Sequence, residues 1–459
     1  MVTLASVAVQ YYGLSAKYEA GAAPKGTARQ LERCAERVVR ETYKMSIVSY
    51  SRTRGWPRRL SFSSRAVRRR EVARRVLRVQ PQIGRTEATS KLNLQSFTKG
   101  RPDQMPLGND FAPVLVTGAA GWLGRRLVHA LTGVTDDLSL RELWRPRPVR
   151  CLVLPGQSTP LEPTVRGRVS VLEGDITNPS DCARLVEGAR GGTLFHTAGV
   201  IHPKRVRQFY EVNLVGTRRL LEAAASEGVR RVVVTSSNSP CGNGSSPTQL
   251  LDESSEYSAH MGYGRSKMEM ELLVREFYQQ GRLETVVVRP PWFYGPFQPP
   301  RQTLFFEMIR DGTVPVVGSG NNRRSMVYID NLCQGMLLAE ARPEASGRLY
   351  WIADERPYTL NEIIDTIERL LETEFGIACA RRRLRLPGLV SEIAGVADGT
   401  LQTLGLYDQR LHVLSEMNKN IACSVDRAKR ELGYRPALGL EEGMRRSIAW
   451  CVSEGLLRR

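Results

Sequence analysis

The stretch Val114 to Gly124 reads VLVTGAAGWLG, with Gly118, Gly121 and Gly124 spaced three apart behind a short apolar run. PVLVTG is β-branched and apolar, as a buried strand requires. The segment that follows, WLGRRLVHALTG, carries Leu123, Leu127, Val128 and Leu131 at helical spacing. Strand, glycine turn and helix in that order form a dinucleotide-binding fingerprint. The first glycine permits the tight turn, the second lets the backbone approach a pyrophosphate, and the third lets helix and strand pack closely. The helix N-terminus then offers free N–H groups and a positive dipole to the phosphates.

The rest of the chain extends the pattern. VRCLVL, VSVLEGD, GTLFHTAG, VRRVVVTSS and LETVVVRP read as five further strands. Helical patterns such as NLVGTRRLLEAAASEG and GRSKMEMELLVREFYQQG lie between them. Strands alternating with helices predict a doubly wound parallel sheet of Rossmann type. Strands buried on both faces read as continuous apolar runs, as these do. With 459 residues, the chain has room for more than one domain. The expected organisation is a basic extension over 1–110, a Rossmann domain over 111–290, and a smaller mixed α/β substrate domain over 291–459.

The charge is uneven. Residues 1–110 carry 22 Lys and Arg against 8 Asp and Glu, and the remainder 44 against 39. Three readings compete for the basic segment: nucleic-acid or anionic-surface binding through phosphate contacts, an organelle transit peptide, and a poorly ordered extension. The last is favoured, because like-charge runs stay unfolded. Met105 also stands nine residues before the first strand, where a stand-alone enzyme of this type would start. Few aromatics interleave the arginines, so nucleic acid is not an expected partner.

Eight cysteines (Cys34, Cys151, Cys182, Cys241, Cys333, Cys379, Cys423 and Cys451) are scattered without a CxxC pair, and no metal site is expected. Scattered cysteines fit a reducing compartment. No eighteen-residue apolar run is present, so no membrane span is expected. A cytoplasmic location and a small-molecule substrate are expected, and a homodimer is left open.

Six motifs in order resemble the extended short-chain dehydrogenase/reductase family, from about Pro113 to Trp450. TGAAGWLG resembles its TGxxGxxG and implies cofactor contacts from Thr117, Gly118, Gly121, Trp122, Leu123 and Gly124. GDITNP resembles its adenine-side turn, giving Asp175 and Ile176. HTAGVIHP resembles the loop that lies against the cofactor, giving Thr197, Ala198 and Gly199. VNLVGTRRLLEAA gives Asn213, and RPPWFYGP gives Pro290. YGRSK resembles its YxxxK and implies Tyr263 and Lys267 as catalytic and cofactor-binding. TSS supplies Ser237 as the matching hydroxyl, with Ser236 as the neighbouring alternative. His196 reads as a spacing residue and Cys241 as packing.

The chemistry these residues suit is hydride transfer. A carbonyl being reduced needs a proton donor beside its oxygen. Tyrosine can donate, and a lysine four residues along a helix shares its face. The lysine charge is expected to lower the phenol pKa from its ordinary value near 10. A strand-end serine can orient the substrate oxygen. The cofactor is NAD or NADP, since VLPGQS after the second strand shows neither the acid that reads ribose hydroxyls nor an arginine for a 2′-phosphate.

Substrate class divides between hydroxysteroid-like alcohols and nucleotide sugars. Trp292 stands where the epimerases often carry an Asn, and resembles the 3β-hydroxysteroid dehydrogenase branch. The apolar insert LRLPGLVSEIAGVADGTLQTLGL leans the same way. Arg324 matches the arginine with which epimerases hold a diphosphate. TSSNSP lacks the Asp–Glu pair of the dehydratases, so dehydration is not expected. Oxidoreductase is favoured over epimerase. A cofactor-binding protein without activity is the alternative of another class, against which the intact Ser237, Tyr263 and Lys267 argue.

Overall fold

A computed structural model describes residues 112–457, apart from 158–164, 166, 245 and 247. The basic extension expected over 1–110 therefore lies outside the described residues. The six apolar runs form strands β1 (Val114–Thr117), β2 (Val149–Val153), β3 (Val169–Glu173), β4 (Thr193–His196), β5 (Arg231–Thr235) and β6 (Glu284–Arg289). Short strands follow: β7 (Trp292–Tyr294), β8 (Pro315–Val317), β9 (Arg323–Arg324) and β10 (Met326–Tyr328). Then β11 (Leu349–Trp351) returns to the large sheet beside β6. The sheet order is β3-β2-β1-β4-β5-β6-β11, every pair parallel. This is the doubly wound Rossmann-type architecture.

Helices cover both faces: α1 (Trp122–Leu131), α2 (Pro179–Val186), α3 (Thr217–Glu227) and α4 (Gly262–Gln279), then α5 (Pro300–Arg310), α6 (Ile329–Ala341), α7 (Leu360–Thr373), α8 (Leu389–Thr403), α9 (Gln409–Glu416) and α10 (Leu440–Ser453). The helix ends follow local chemistry. Asn178 caps α2 through Ser180 N, and Gly228, at φ 77°, ends α3 in the left-handed conformation that glycine adopts without strain. TDDLSLRELWRPRP, which reads as a long loop, contains a helix at Leu138–Leu143, capped by Asp137 through Leu140 N.

Three apolar cores result. One, including Leu115, Leu194, Val232, Leu220 and Phe277, fills the α2–α3–α4 face of the sheet. The second, on the opposite face, joins Val116, Leu127 and Phe195 to Met336, Trp351 and Tyr434. The third gathers Tyr294, Phe306, Ile364, Leu371 and Ile448. Residues beyond 290 thus supply the third core but also one strand and one face of the main sheet, and Met105–Arg459 forms one compact unit. No helix among the described residues is long and apolar enough to cross a membrane.

Candidate active site

The sheet order turns at β1, whose neighbours β2 and β4 lead to opposite sides. Such a switch point opens a crevice at the strand C-termini, and ligands of this fold class sit there. The glycine turn follows β1 directly. Gly118 has φ +72°, and a Cβ on it would lie 2.7 Å from Ala198 N, so only glycine fits. A Cβ on Gly124 would lie 2.1 Å from Gly118 O, so this glycine seats α1 against the turn. Gly121 is exposed at the start of α1, which has neither a side-chain cap nor an acid in its first turn. Its N-terminal N–H groups are available for phosphate. The cradle therefore fits a dinucleotide.

Around this turn the side chains are held from behind. Thr117 Oγ1 lies 2.7 Å from His196 Nδ1, and His196 Nε2 lies 2.9 Å from Thr217 Oγ1. Burial, followed by the Lys267 charge, pulls the His196 pKa down to about 3, so the ring is neutral. His196 is thus a buried strut between β1, β4 and α3. Thr197 Oγ1 donates to Thr117 O at 2.7 Å. Asn213 clamps the loop after β4 through both main-chain groups of one residue: its Oδ1 accepts from Val200 N at 2.8 Å and its Nδ2 donates to Val200 O at 3.0 Å. Gly199 is exposed, and a Cβ there would stand 3.2 Å from Asn213 Oδ1 and 3.4 Å from Lys267 Nζ. Asp175 bends the chain after β3 by accepting from Thr177 N at 2.8 Å, and Ile176 is buried beside Gly216.

Trp122 and Leu123 turn their side chains away from the crevice. Trp122 Nε1 donates to Pro296 O at 2.7 Å with its ring on Phe293, and Leu123 joins the core. Pro290 is buried just past β6. Trp292 is half-buried, its ring 5.5 Å from that of Phe305 on α5. Arg324 is half-buried and donates to the main-chain oxygen of Glu416 at the end of α9.

The candidate reactive groups stand just past β5 and on α4. The Ser237 side chain stands beside the Tyr263 hydroxyl and opposes the rise in its pKa, while Ser237 Oγ itself donates to Asn238 Oδ1 at 3.3 Å. Ser236, the alternative, is turned inward to Glu271, itself paired with Arg289 in the core. Cys241 accepts from the same Arg289 at 3.1 Å, and burial raises its thiol to about 11, in keeping with packing.

One expectation is corrected. Lys267 Nζ donates to Thr235 O at 2.9 Å instead of acting on the phenol. Burial raises Tyr263 to about 12; the Ser237 side chain and the Arg301 charge oppose this, and Glu416 adds to it. Desolvation outweighs a charge one helical turn away. Burial also draws Lys267 down to about 8 against the pull of Glu271.

Arg301, whose charge bears on Tyr263, is a neighbour that the sequence did not single out. Among the described residues no His/Cys/Asp/Glu group could hold a metal ion.

A profile of the NAD dependent epimerase/dehydratase family matches residues 114–353. An uncharacterized protein, y4nL, of Sinorhizobium fredii is 48% identical over 343 residues, covering 74% of this chain and 96% of that protein. The chain belongs to the NAD-dependent epimerase/dehydratase family. It is accordingly an enzyme of the extended short-chain dehydrogenase/reductase type. A protein named 3-beta-hydroxysteroid dehydrogenase from Mycolicibacterium neoaurum is 30% identical, covering 74% of this chain and 91% of its own. Among solved structures, DesIV of Streptomyces venezuelae, a dTDP-glucose 4,6-dehydratase with NAD bound, superposes with a TM-score of 0.57. It is 25% identical, and the match covers 75% of this chain and 99% of DesIV. In this family member the glycine turn, the loop clamped by Asn213 and Ser237 follow the C-terminal ends of β1, β4 and β5.

Proposed function

We propose that the chain is an NAD-dependent oxidoreductase that interconverts a secondary alcohol and its ketone, of hydroxysteroid-dehydrogenase type. The observation that carries this reading is the Ser237 side chain, just past β5, standing beside the Tyr263 hydroxyl on α4, with Lys267 one helical turn beyond. Nicotinamide, when bound, supplies the hydride chemistry. Ser237 orients the substrate oxygen, and Tyr263 gives or takes its proton. Lys267 holds a buried positive charge at the floor of the site and braces it through Thr235. The uncapped α1 N-terminus and the bare Gly121 take the pyrophosphate. NAD, as in DesIV, is preferred to NADP.

The Trp292–Phe305 pair supports an apolar ring as substrate. Indole offers a large apolar face and one N–H donor. The Mycolicibacterium relative's name supports the same class. Arg324 favours a second reading, a nucleotide-sugar epimerase, because guanidinium pairs well with phosphate.

The test is incubation with NAD and separate panels of hydroxysteroids and sugar nucleotides. Net reduced nicotinamide should accumulate with a hydroxysteroid, because the ketone leaves. Isomer formation without net reduction would replace this reading with the epimerase. Cofactor binding with no turnover on either panel would leave a binding protein.

A further inference from the structure

The insert over 384–406 is more than an apolar cover. A partly buried chain of hydrogen bonds runs through it to the helix that carries Tyr263. Gln402 on α8 accepts with Oε1 from the main-chain N–H of Gly262, at 2.9 Å. Gly262 immediately precedes Tyr263, and α4 begins there without a side-chain cap from Met261. Gln402 therefore supplies from another helix the acceptor that a capping residue normally provides. The approach is close, since a Cβ on Gly262 would stand 3.1 Å from Gln402 Oε1 and 3.0 Å from Val206.

Gln402 donates in turn with Nε2 to Asp398 Oδ1 at 2.9 Å. Asp398 is fully buried, and its second oxygen lies 2.8 Å from His412 Nδ1 on α9. His412 Nε2 stands 3.8 Å from Glu416 Oε1, and Arg324 donates to the main-chain oxygen of Glu416. Rings brace the same elements. Tyr407 lies 5.5 Å from His412 and 5.3 Å from Phe209, and Phe209 lies 5.7 Å from Tyr263.

A cover needs only apolar residues. A buried carboxylate is costly unless paired, and apolar groups of similar shape often pack as well or better. This one ends, through Gln402, on the N–H beside Tyr263. We propose that Gln402 and Asp398, held by His412, are positioning residues that fix the first turn of α4 and so aim the Tyr263 hydroxyl at the reacting oxygen. The role rests on Tyr263 being the proton-transferring group. It links that group through α8 to α9, the helix whose last main-chain oxygen, on Glu416, receives Arg324.

The test is a double-mutant cycle on turnover. Gln402→Met keeps the volume and removes both hydrogen bonds. In the wild-type background it should lower kcat by about 10- to 100-fold, the usual cost of a misplacement near 1 Å, with the Kd for NAD unchanged. In a Tyr263→Phe background, with no hydroxyl left to aim, it should change kcat by less than about twofold. Equal losses in both backgrounds would mean that Gln402 only supports the fold, and the positioning role falls. If Gln402→Met does not fold, Gln402→Asn, one methylene too short to bridge Gly262 and Asp398, enters the same cycle. Full turnover by Tyr263→Phe would instead remove Tyr263 from the chemistry, and the positioning role with it. Additive losses on a crippled Tyr263→Phe enzyme overturn the positioning role alone.

Discussion

Lys267 Nζ donates to the main-chain oxygen of Thr235 at 2.9 Å, two residues before the serine whose side chain stands beside the Tyr263 hydroxyl. The lysine therefore braces the strand end that leads to Ser237, while Tyr263 keeps a phenol raised to about 12 by burial. Tyr263→Phe removes the proposed proton-transferring group and leaves the glycine turn intact. Turnover should fall by about 10² to 10⁴, with NAD binding retained by fluorescence titration. Wild-type-like turnover would take Tyr263 out of the mechanism. The raised phenol adds a direction: alcohol oxidation, which needs the phenolate, should gain rate from pH 7 to pH 9 more steeply than ketone reduction.

Gly121 and Gly124 separate cofactor binding from folding. Gly124 has no room, since a Cβ would sit 2.1 Å from Gly118 O. Gly124→Ala forces α1 away from the turn and should cost about 1–3 kcal/mol or more, as overpacking does. Gly121 is exposed, and the nearest atom to an added Cβ is Gly118 O at 3.1 Å. Gly121→Ala should leave the thermal midpoint near wild type and raise the Kd for NAD about tenfold or more, because the new methyl stands where the phosphates approach. Unchanged NAD affinity in that variant would place the dinucleotide elsewhere.

His196 makes the enzyme acid-sensitive. Its folded pKa, drawn down to about 3, lies below the ordinary value of 6.5, so the unfolded chain binds the proton first. Its contribution to stability is whole above about pH 6.5 and is lost as pH falls toward 3. His129 and His202, both drawn down to about 4 chiefly by burial, act with the same sign. His412 acts with the opposite sign: burial works against its charge, but its bond to Asp398 and the charge of Glu416 raise it overall. Urea unfolding of wild type and His196→Gln should converge by about 2 kcal/mol between pH 7 and pH 5. A constant gap would mean that the folded ring takes up its proton over the same pH range as the unfolded chain.

What could be read from the sequence follows from where the information is local. The sheet strands announce themselves because burial on both faces demands unbroken apolar runs such as VVVT and TVVVR. The glycine turn is legible because clashes with backbone atoms at Gly118 and Gly124 forbid other residues. The choice between Ser236 and Ser237 is not local: it depends on Glu271, 35 residues away, which takes Ser236 inward. The spacing of Tyr263 and Lys267 reveals a shared helix face but not the burial that sets both pKa values. The insert reads as apolar because leucine, valine and alanine dominate it. The role of Asp398 emerges only when α9 brings His412 across to meet it.

One substitution at Arg324 tests the substrate class. Its guanidinium, half-buried, reaches the end of α9, and the Glu416 charge there also bears on Tyr263. If the substrate is an uncharged alcohol, Arg324 only closes that helix end. Arg324→Ala should then shift KM by no more than about threefold, within the range of a rim interaction worth under 1 kcal/mol. If the substrate carries a diphosphate, losing a charged hydrogen bond of about 1.5–3 kcal/mol raises KM by roughly 10- to 100-fold. Arg324→Lys separates charge from shape. It keeps the cation and loses the planar fork, so it rescues a simple charge contact but not a bidentate phosphate contact. A small KM effect from Arg324→Ala on the active hydroxysteroid, with no turnover of sugar nucleotides, supports the alcohol dehydrogenase. A steep KM rise for a sugar nucleotide that Arg324→Lys fails to restore would overturn that class in favour of the epimerase.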